Sequence, residues 1–376
     1  MINVNKEKKV YTITFHRANN YGATLQALAL QKFLEKNNYE TRLIDYDNYK
    51  ISDHYRILKK DRSNLLKFLI HIVPRLFKIN FEIKKEKNFD KFRKQLHMTN
   101  YYSDYSELNI DFPKCDVVIC GSDQVWNPSI TNGLDSAYFL QFNDRNIKKI
   151  SYAASCGNSQ NIDDVNLFSS YLKNIDKISV RETELKNFII ANKINKDVSV
   201  VLDPTLLLDK ASWEEIIKKE RVVKNKYIFT YCVNNGTYLY YDTINYLAKK
   251  EGLDVIYFDK TCSKIKVNKK SYYYVGPLDF LNLLYFSEFV ITTSFHGFAL
   301  STLLNKKVFG VLSTYPDRLT TLANKLNIED FFIKDKKDID LLLDRKINWD
   351  EINQKLDYER NISSEWLVDA IESQKR

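Results

Sequence analysis

The stretch KVYTITFHRANNYGATLQALALQKFLEKNNYETRLIDY, residues 9–46, predicts the class of fold. Its first part, Lys9–Phe15, is rich in β-branched and aromatic residues, which predicts a strand. After the turn residues Asn19–Gly22, apolar side chains recur at helical spacing from Ala23 to Asn38, and Thr41–Tyr46 predicts a second strand. A strand, a helix and a strand joined in this way form a right-handed crossover, so the sequence predicts a parallel sheet.

The same alternation continues along the chain in two series. The first series has further predicted strands at 115–120, 148–154, 177–180 and 198–202, and a basic insertion at 50–108 interrupts it. After a linker-like segment, the second series has predicted strands at 227–233, 253–258, 289–293 and 307–312. The pattern predicts an α/β protein with two doubly wound halves and a cleft between them. We place the first domain at 1–205, the second at 206–348 and a helical tail at 349–376.

Composition narrows the class of protein. The hydrophobic content of 44% is enough for two medium domains, and the five cysteines lie far apart without C-x-x-C spacing. A reducing compartment therefore fits best, and neither a disulfide framework nor a zinc site is predicted. The N-terminus has no signal-peptide pattern, and no apolar run is long enough to span a membrane. We expect a cytoplasmic protein that needs no metal.

The net charge of +9 is concentrated in one segment. Residues 58–87 contain nine Lys or Arg and three Asp or Glu, interleaved with Leu, Ile and Phe. Such a segment could lie on an anionic membrane surface, or it could be a basic helix whose apolar face packs against the same chain. No recognisable nucleic-acid-binding module is present, so nucleic acid is not an expected partner.

Polar residues follow several of the predicted strands, where ligands bind in open parallel sheets. Asn20 and Gly22 precede the first helix, Gly121–Gln124 and Arg181 each follow a strand, and Ser294–His296 open another helix, whose N-terminus favours an anion. Each also has a structural interpretation: a turn for the first pair, a helix N-cap for Asp123, an ion pair for Arg181 and a packed core residue for His296. Their recurrence at strand ends favours a shared site.

In combination, these residues resemble the polysaccharide pyruvyl transferase family. The matching segments occur in the family's order over about residues 10–325: Asn20–Leu30, Gly121–Pro128, Ser151–Ser155, Ser179–Glu182, Val201–Thr205 and Thr293–Gly297. The resemblance implies two Rossmann-like domains in a glycosyltransferase-B-like arrangement. It also implies transfer of the enolpyruvyl group of phosphoenolpyruvate to a sugar as a ketal, with release of phosphate and without a further cofactor.

The resemblance also implies a role for individual residues. The catalytic residues would be His296 as acid and base and Asp123, which would orient or deprotonate the acceptor hydroxyl. Donor binding would fall to Arg181, Ser294, Gly297 and Arg318, and acceptor binding to Asn20, Gly22, Ser122, Gln124 and Trp126. Many relatives carry an arginine where this chain has Ser294, so Arg318 or Lys306 would have to supply that positive charge.

The expected acceptor is a lipid-linked intermediate of capsule or exopolysaccharide synthesis. Segment 58–87 would then hold the enzyme at the inner membrane face, as a peripheral protein. Two alternatives remain at this stage. One is a glycosyltransferase that uses a nucleotide sugar on the same architecture, and the other is a non-catalytic relative that binds a sugar or phosphate.

Overall fold

A computed structural model describes residues 8–51, 72–143, 146–195, 197–233, 236–259, 262–312 and 316–375. These residues form two parallel sheets, each flanked by helices, as predicted for the α/β class. Residues 52–71, which include much of the basic segment 58–87, lie outside the described part of the chain.

The first sheet has seven strands in the order β3-β2-β1-β4-β5-β6-β7, all parallel. The strands are β1 (Lys9–Ile13), β2 (Glu40–Tyr46), β3 (Met98–Tyr102), β4 (Val117–Cys120), β5 (Lys148–Ala154), β6 (Lys177–Val180) and β7 (Val198–Val200). Its helices are α1 (Tyr21–Lys36), α2 (Ile72–Arg93), α3 (Tyr105–Ile110), α4 (Pro128–Thr131), α5 (Val165–Leu172) and α6 (Thr183–Ala191). The strand order reverses between β1 and β4, and ligands of such sheets bind at this switch point.

The second sheet has five parallel strands in the order β10-β9-β8-β11-β12. The strands are β8 (Tyr227–Tyr231), β9 (Asp254–Tyr257), β10 (Lys269–Ser271), β11 (Phe289–Thr292) and β12 (Val308–Gly310). The remaining helices are α7 (Lys210–Ile216), α8 (Tyr238–Glu251), α9 (Pro277–Tyr285), α10 (Phe295–Leu303), α11 (Asp317–Leu326), α12 (Lys336–Asp344) and α13 (Trp349–Glu372). Its switch point lies between β8 and β11, so each sheet offers one binding edge.

The last helix, α13, returns to the first half of the protein. Ser363 Oγ accepts a hydrogen bond from the backbone N–H of Leu202 at 2.9 Å, and Arg360 Nε donates to the carbonyl of Leu206 at 2.7 Å. Near its end, Glu372 Oε1 accepts from the hydroxyl of Tyr39 at 2.9 Å. The tail is therefore part of the fold of the first half.

The two halves share one apolar cluster at their junction. Tyr21, at the start of α1, stacks on Phe280 of α9 with ring centres 4.1 Å apart, and its hydroxyl donates to the carbonyl of Val275 at 3.1 Å. From α2, Asn88 Nδ2 donates to the carbonyl of Tyr274 at 2.7 Å. These contacts fix the binding edges of the two sheets relative to each other.

The region 50–108 is more than an interruption, because it supplies strand β3 and helix α2. In the middle of α2, Lys84 Nζ lies 3.8 Å from the ring centre of Tyr274, and Lys85 Nζ lies 4.4 Å from that of Tyr273. These two lysines thus contact the second half of the protein. Among the described residues, no helix combines the length and the apolar character needed to cross a membrane.

Candidate active site at the junction of the two halves

His296 is the second residue of α10, directly beyond the end of β11. Ser294 caps this helix, since its Oγ accepts a hydrogen bond from the backbone N–H of Gly297 at 3.3 Å. A Cβ atom on Gly297 would lie 2.5 Å from Thr292 Oγ1, so glycine lets the helix start pack tightly against the strand. The imidazole is consequently held in place, and its side chain is only 9% exposed.

The imidazole of His296 packs against the first turn of α1. A Cβ atom on Gly22 would lie 2.0 Å from His296 Nδ1, so the ring occupies the space that a larger residue would fill. Asn20 caps α1 by accepting a hydrogen bond from the backbone N–H of Ala23 at 3.2 Å. The N-terminal turns of α1 and α10 therefore meet at His296, and both helix dipoles favour a negative charge there.

Asp203 connects the first half to His296. This carboxylate is fully buried, and its Oδ2 accepts hydrogen bonds from Ser122 Oγ at 2.7 Å and from Arg181 Nη1 at 2.8 Å. The same oxygen lies 3.4 Å from His296 Nε2. Oδ1 accepts from the backbone N–H and the hydroxyl of Thr205 at 3.0 and 2.8 Å. Burial alone would raise the pKa of Asp203, but His296, Arg181 and the N–H of Thr205 hold it well below the usual range.

Arg181 follows β6 and is 3% exposed. Its Nη1 donates a hydrogen bond to Asp203, whereas Nε and Nη2 are buried and donate no hydrogen bond to the described residues. Asp123 Oδ1 is 3.7 Å from Nη2, and the ring of Phe295 lies 4.7 Å from the guanidinium carbon. Buried donors are almost always paired, so this open edge indicates a place for a ligand.

A second guanidinium, that of Arg318 in the first turn of α11, lies near Arg181. Burial and repulsion by Arg181 lower the pKa of Arg318, while Glu182 and Asp123 act in the opposite direction. Arg318 forms neither a hydrogen bond nor an ion pair within the described part of the chain. Lys306 follows the opposite end of α10 and borders a different cavity with Lys210, so Arg318 is the cation that approaches the site.

Asp123 lies at the same edge, but it is no helix N-cap. Its φ is +80°, its backbone pairs with Ala154 as an isolated bridge, and Oδ1 accepts from the N–H of Gln124 at 2.9 Å. Ala153 also has a positive φ, of 49°. Non-glycine residues rarely adopt such angles, and those that do cluster at functional sites.

Two residues predicted to bind the acceptor make their contacts elsewhere. Trp126 is fully buried in the core of the first half, where Nε1 donates to the carbonyl of Tyr138 at 3.0 Å and the ring stacks on Phe139. Gln124 Oε1 accepts from Asn127 Nδ2 at 2.7 Å. The structure thus corrects the prediction for Trp126, whose side chain has no face left for a sugar. Within the described ranges, no group of His, Cys, Asp or Glu side chains could hold a metal ion.

The sequence matches a known protein family over most of its length. The model of the family described as polysaccharide pyruvyl transferase covers residues 20–315, which include His296, Arg181 and Asp203. The chain belongs to this family. No curated protein matches the sequence at a significant level.

Solved structures with the same fold include UDP-N-acetylglucosamine 2-epimerases and a glucosyltransferase. UDP-N-acetylglucosamine 2-epimerase from Rickettsia bellii is 10% identical, covers 97% of this chain and 96% of its own, and has a TM-score of 0.55. The MnaA protein of S. aureus, solved with UDP, is 11% identical, covers 97% of this chain and 95% of its own, and has a TM-score of 0.52. An α-glucosyltransferase solved with UDP and DNA is 11% identical, covers 96% of this chain and 95% of its own, and has a TM-score of 0.51. At these identities the likeness concerns the fold, which is glycosyltransferase-B-like, and this member of the pyruvyl transferase family shares it.

Proposed function

We propose that this protein transfers the enolpyruvyl group of phosphoenolpyruvate to two hydroxyls of a sugar, forming a cyclic ketal and releasing phosphate. The observation that carries the proposal is the open edge of Arg181, with two buried donors that have no hydrogen-bond partner among the described residues. A guanidinium edge of this kind binds a carboxylate or phosphate in a bidentate manner. Arg318 and the N-termini of α1 and α10 add positive potential at the same place, which suits a donor with both groups.

The reaction can be written with all atoms accounted for. Protonation of the methylene carbon of phosphoenolpyruvate gives an oxocarbenium-like centre, and a sugar hydroxyl attacks it. A second hydroxyl then displaces phosphate and closes the ketal. One hydroxyl proton ends on the new methyl group and the other on phosphate, so the net reaction needs neither water nor an oxidant.

His296 is the residue we assign to these proton transfers. Histidine can donate and accept a proton near neutral pH, and such catalysis contributes about 10²–10⁴-fold. The hydroxyl of Ser294 caps α10 and carries no positive charge. We assign the charge that an arginine at position 294 would provide to Arg318. Asp123 would orient the acceptor hydroxyl, together with Asn20 at the same edge, whereas Ser122 is buried against Asp203 and Gly22 against His296.

We further propose that the acceptor is lipid-linked and that the basic segment 58–87 lies on the inner face of a membrane. The support is the charge of this segment. Near its end, Phe81, Lys84 and Lys85 contact aromatic rings of the second half. The part that would face the lipid is therefore the part before Phe81, most of which lies outside the described residues.

The test is an assay with phosphoenolpyruvate and a panel of sugars, each offered free and lipid-linked. Phosphate release and the gain of one pyruvate ketal in the acceptor mass are measured together. We expect His296→Ala to lower kcat by about 10²–10⁴-fold. Arg181→Lys should raise the KM for phosphoenolpyruvate at least about tenfold, since lysine cannot form the bidentate contact. Arg221→Lys, at the far end of the second sheet, is the matched control.

Three outcomes would contradict the proposal. The first is full activity of the His296→Ala variant, which removes the catalytic assignment. The second is turnover of a UDP-sugar with no reaction of phosphoenolpyruvate, which would make the protein a glycosyltransferase. The third, a lack of preference for the lipid-linked sugars, contradicts the membrane part alone.

A further inference from the structure

Asp203 contacts groups that come from four separate segments of the chain. Ser122 follows β4, Arg181 follows β6, Thr205 lies in the turn after β7, and His296 belongs to α10 of the second half. The turn Pro204–Leu206 that begins after Asp203 packs against both α1 and α10. Asp203 is thus placed where the two halves assemble the site.

The contact between Asp203 and Arg181 determines which edge of the guanidinium is open. Nη1 donates to Asp203 Oδ2, and Nε and Nη2, which form the other edge, have no hydrogen-bond partner in the part of the chain that the structure describes. Asp123, at 3.7 Å from Nη2, is too far to close that edge with a hydrogen bond. Because Asp203 holds one side of the guanidinium, the open edge has a fixed direction before an anion binds. Less entropy is therefore lost on binding.

The contact between Asp203 and His296 distinguishes the two ring nitrogens. Nδ1 faces the backbone of Gly22, whereas Nε2 lies 3.4 Å from the carboxylate of Asp203. A carboxylate next to one nitrogen favours the tautomer with the proton on that nitrogen. The distance is longer than a good hydrogen bond, so the proton on Nε2 is oriented but is not tightly held.

We propose that Asp203 is a positioning residue for the donor site, which keeps the proton of His296 on Nε2 and directs the open edge of Arg181 toward the donor. The proposal rests on the proposed function for its consequence in catalysis. Asp203 itself does not touch the donor, because its two oxygens are occupied by protein groups. The low pKa of Asp203 supports this role, since the group stays charged at neutral pH.

The central experiment is a double-mutant cycle on kcat with Asp203→Asn and His296→Ala. Asparagine keeps the shape but cannot accept the bonds from Ser122 and Arg181 with its amide nitrogen. Loss of the carboxylate behind a catalytic histidine lowers kcat by up to about 10⁴-fold in a well-studied system, and we expect at least about tenfold here. In the His296→Ala background the same change should lower kcat by less than about threefold, because Asp203 affects kcat through the histidine, whereas its effect through Arg181 falls on the KM for phosphoenolpyruvate. Losses that multiply in the double variant would overturn the proposal.

Thr205→Val is the matched control. It removes the hydroxyl that donates to Oδ1 of Asp203, but it leaves the backbone N–H and all contacts of Oδ2. We expect a lower Tm with kcat within about threefold of the parent, as for one lost hydrogen bond. A loss of kcat as large as that of Asp203→Asn would show that any disturbance of this turn abolishes activity, and it would overturn the specific role of Oδ2.

The tautomer of His296 can be measured without any assay of activity. Nitrogen-15 NMR of the histidine-labelled protein distinguishes protonated from bare ring nitrogens, and the spectrum of His296→Ala identifies the signals among the five histidines. We expect the proton of the neutral ring on Nε2 in the parent and a mixed or reversed tautomer in Asp203→Asn. A proton on Nδ1 in the parent overturns the proposal, even if Asp203→Asn does not fold. If phosphoenolpyruvate does not react at all, the proposed function fails while this result still stands.

Discussion

Gly22 and His296 fit together as closely as two residues of one core, although they belong to different halves. Any side chain at position 22 would meet the imidazole, since a Cβ atom there would lie 2.0 Å from Nδ1. The identity of this glycine is therefore set by the histidine more than by the backbone of α1, which is helical at that point.

This fit predicts opposite effects of one substitution in two backgrounds. Gly22→Ala should destabilise the parent by about 1–3 kcal/mol, as overpacking does. In His296→Ala the ring is gone, and the same substitution should be neutral or stabilise the protein by up to about 1 kcal/mol through helix propensity. Unfolding in urea measures both values. Equal destabilisation in the two backgrounds would show that the ring does not occupy this space.

The sequence indicated much of the site, because His296, Arg181 and Ser122 each follow a strand of a parallel sheet. Asp203 was missed as a functional residue. Asp-Pro-Thr has the pattern of a turn that caps itself, and Asp203 does bind the N–H of Thr205, but its other oxygen faces the site. Trp126 shows the reverse error, since a motif next to the site can also carry core residues. Neither side-chain direction is encoded in residue spacing.

At the scale of elements, the ends of β1 and β2 form a second buried cluster of charge. Asp45, in β2, accepts hydrogen bonds from His16 Nε2 at 2.9 Å and from Arg17 Nε and Nη2 at 2.7 and 2.6 Å. Burial would raise the pKa of Asp45, but the bonds from His16 and Arg17 lower it from 3.8 to about 2. The carboxylate therefore ties the first two strand ends together in its charged form.

This cluster predicts a loss of stability in acid. Since the pKa of Asp45 is lowered on folding, its contribution is complete above the ordinary pKa and is lost as the pH falls from about 4 to about 2. The shift corresponds to about 2 kcal/mol. The parent should lose this contribution in acid, whereas Asp45→Asn has none to lose. The difference between their free energies of unfolding should thus shrink by about this amount from about pH 5 to about pH 2. A gap that stays constant over this range would contradict the charged contact.

The elements that the sequence did not predict lie at sheet edges or in short connections. β3 has partly exposed residues on both faces, and β10 is three residues long, so neither shows an alternating or a continuous apolar pattern. Central strands such as β4, which is buried throughout, were recognised from their apolar runs. The formation of an edge strand depends on the neighbouring strand with which it pairs. The periodicity of a single segment carries no information about that neighbour.

At the scale of the whole molecule, the shared cluster around Tyr21 and Phe280 predicts that both halves unfold together. We expect a single calorimetric transition for the parent. Tyr21→Ala should remove about 3–5 kcal/mol from the junction and separate the transitions of the two halves. Tyr21→Phe removes only the hydroxyl, which donates to the carbonyls of Val275 and Tyr273, and should cost about 1 kcal/mol without separating the transitions. Two transitions in the parent would contradict a common core.

The return of α13 to the first half also has a consequence for biosynthesis. Residues 349–372 cover positions such as Leu202 and Leu206, yet the ribosome adds them after the whole second sheet. The first half therefore leaves the ribosome with this face uncovered. More than a hundred further residues are synthesised before α13 can pack on it. Nascent chains of this protein would expose an apolar surface to chaperones throughout that interval, because domains begin to fold during synthesis.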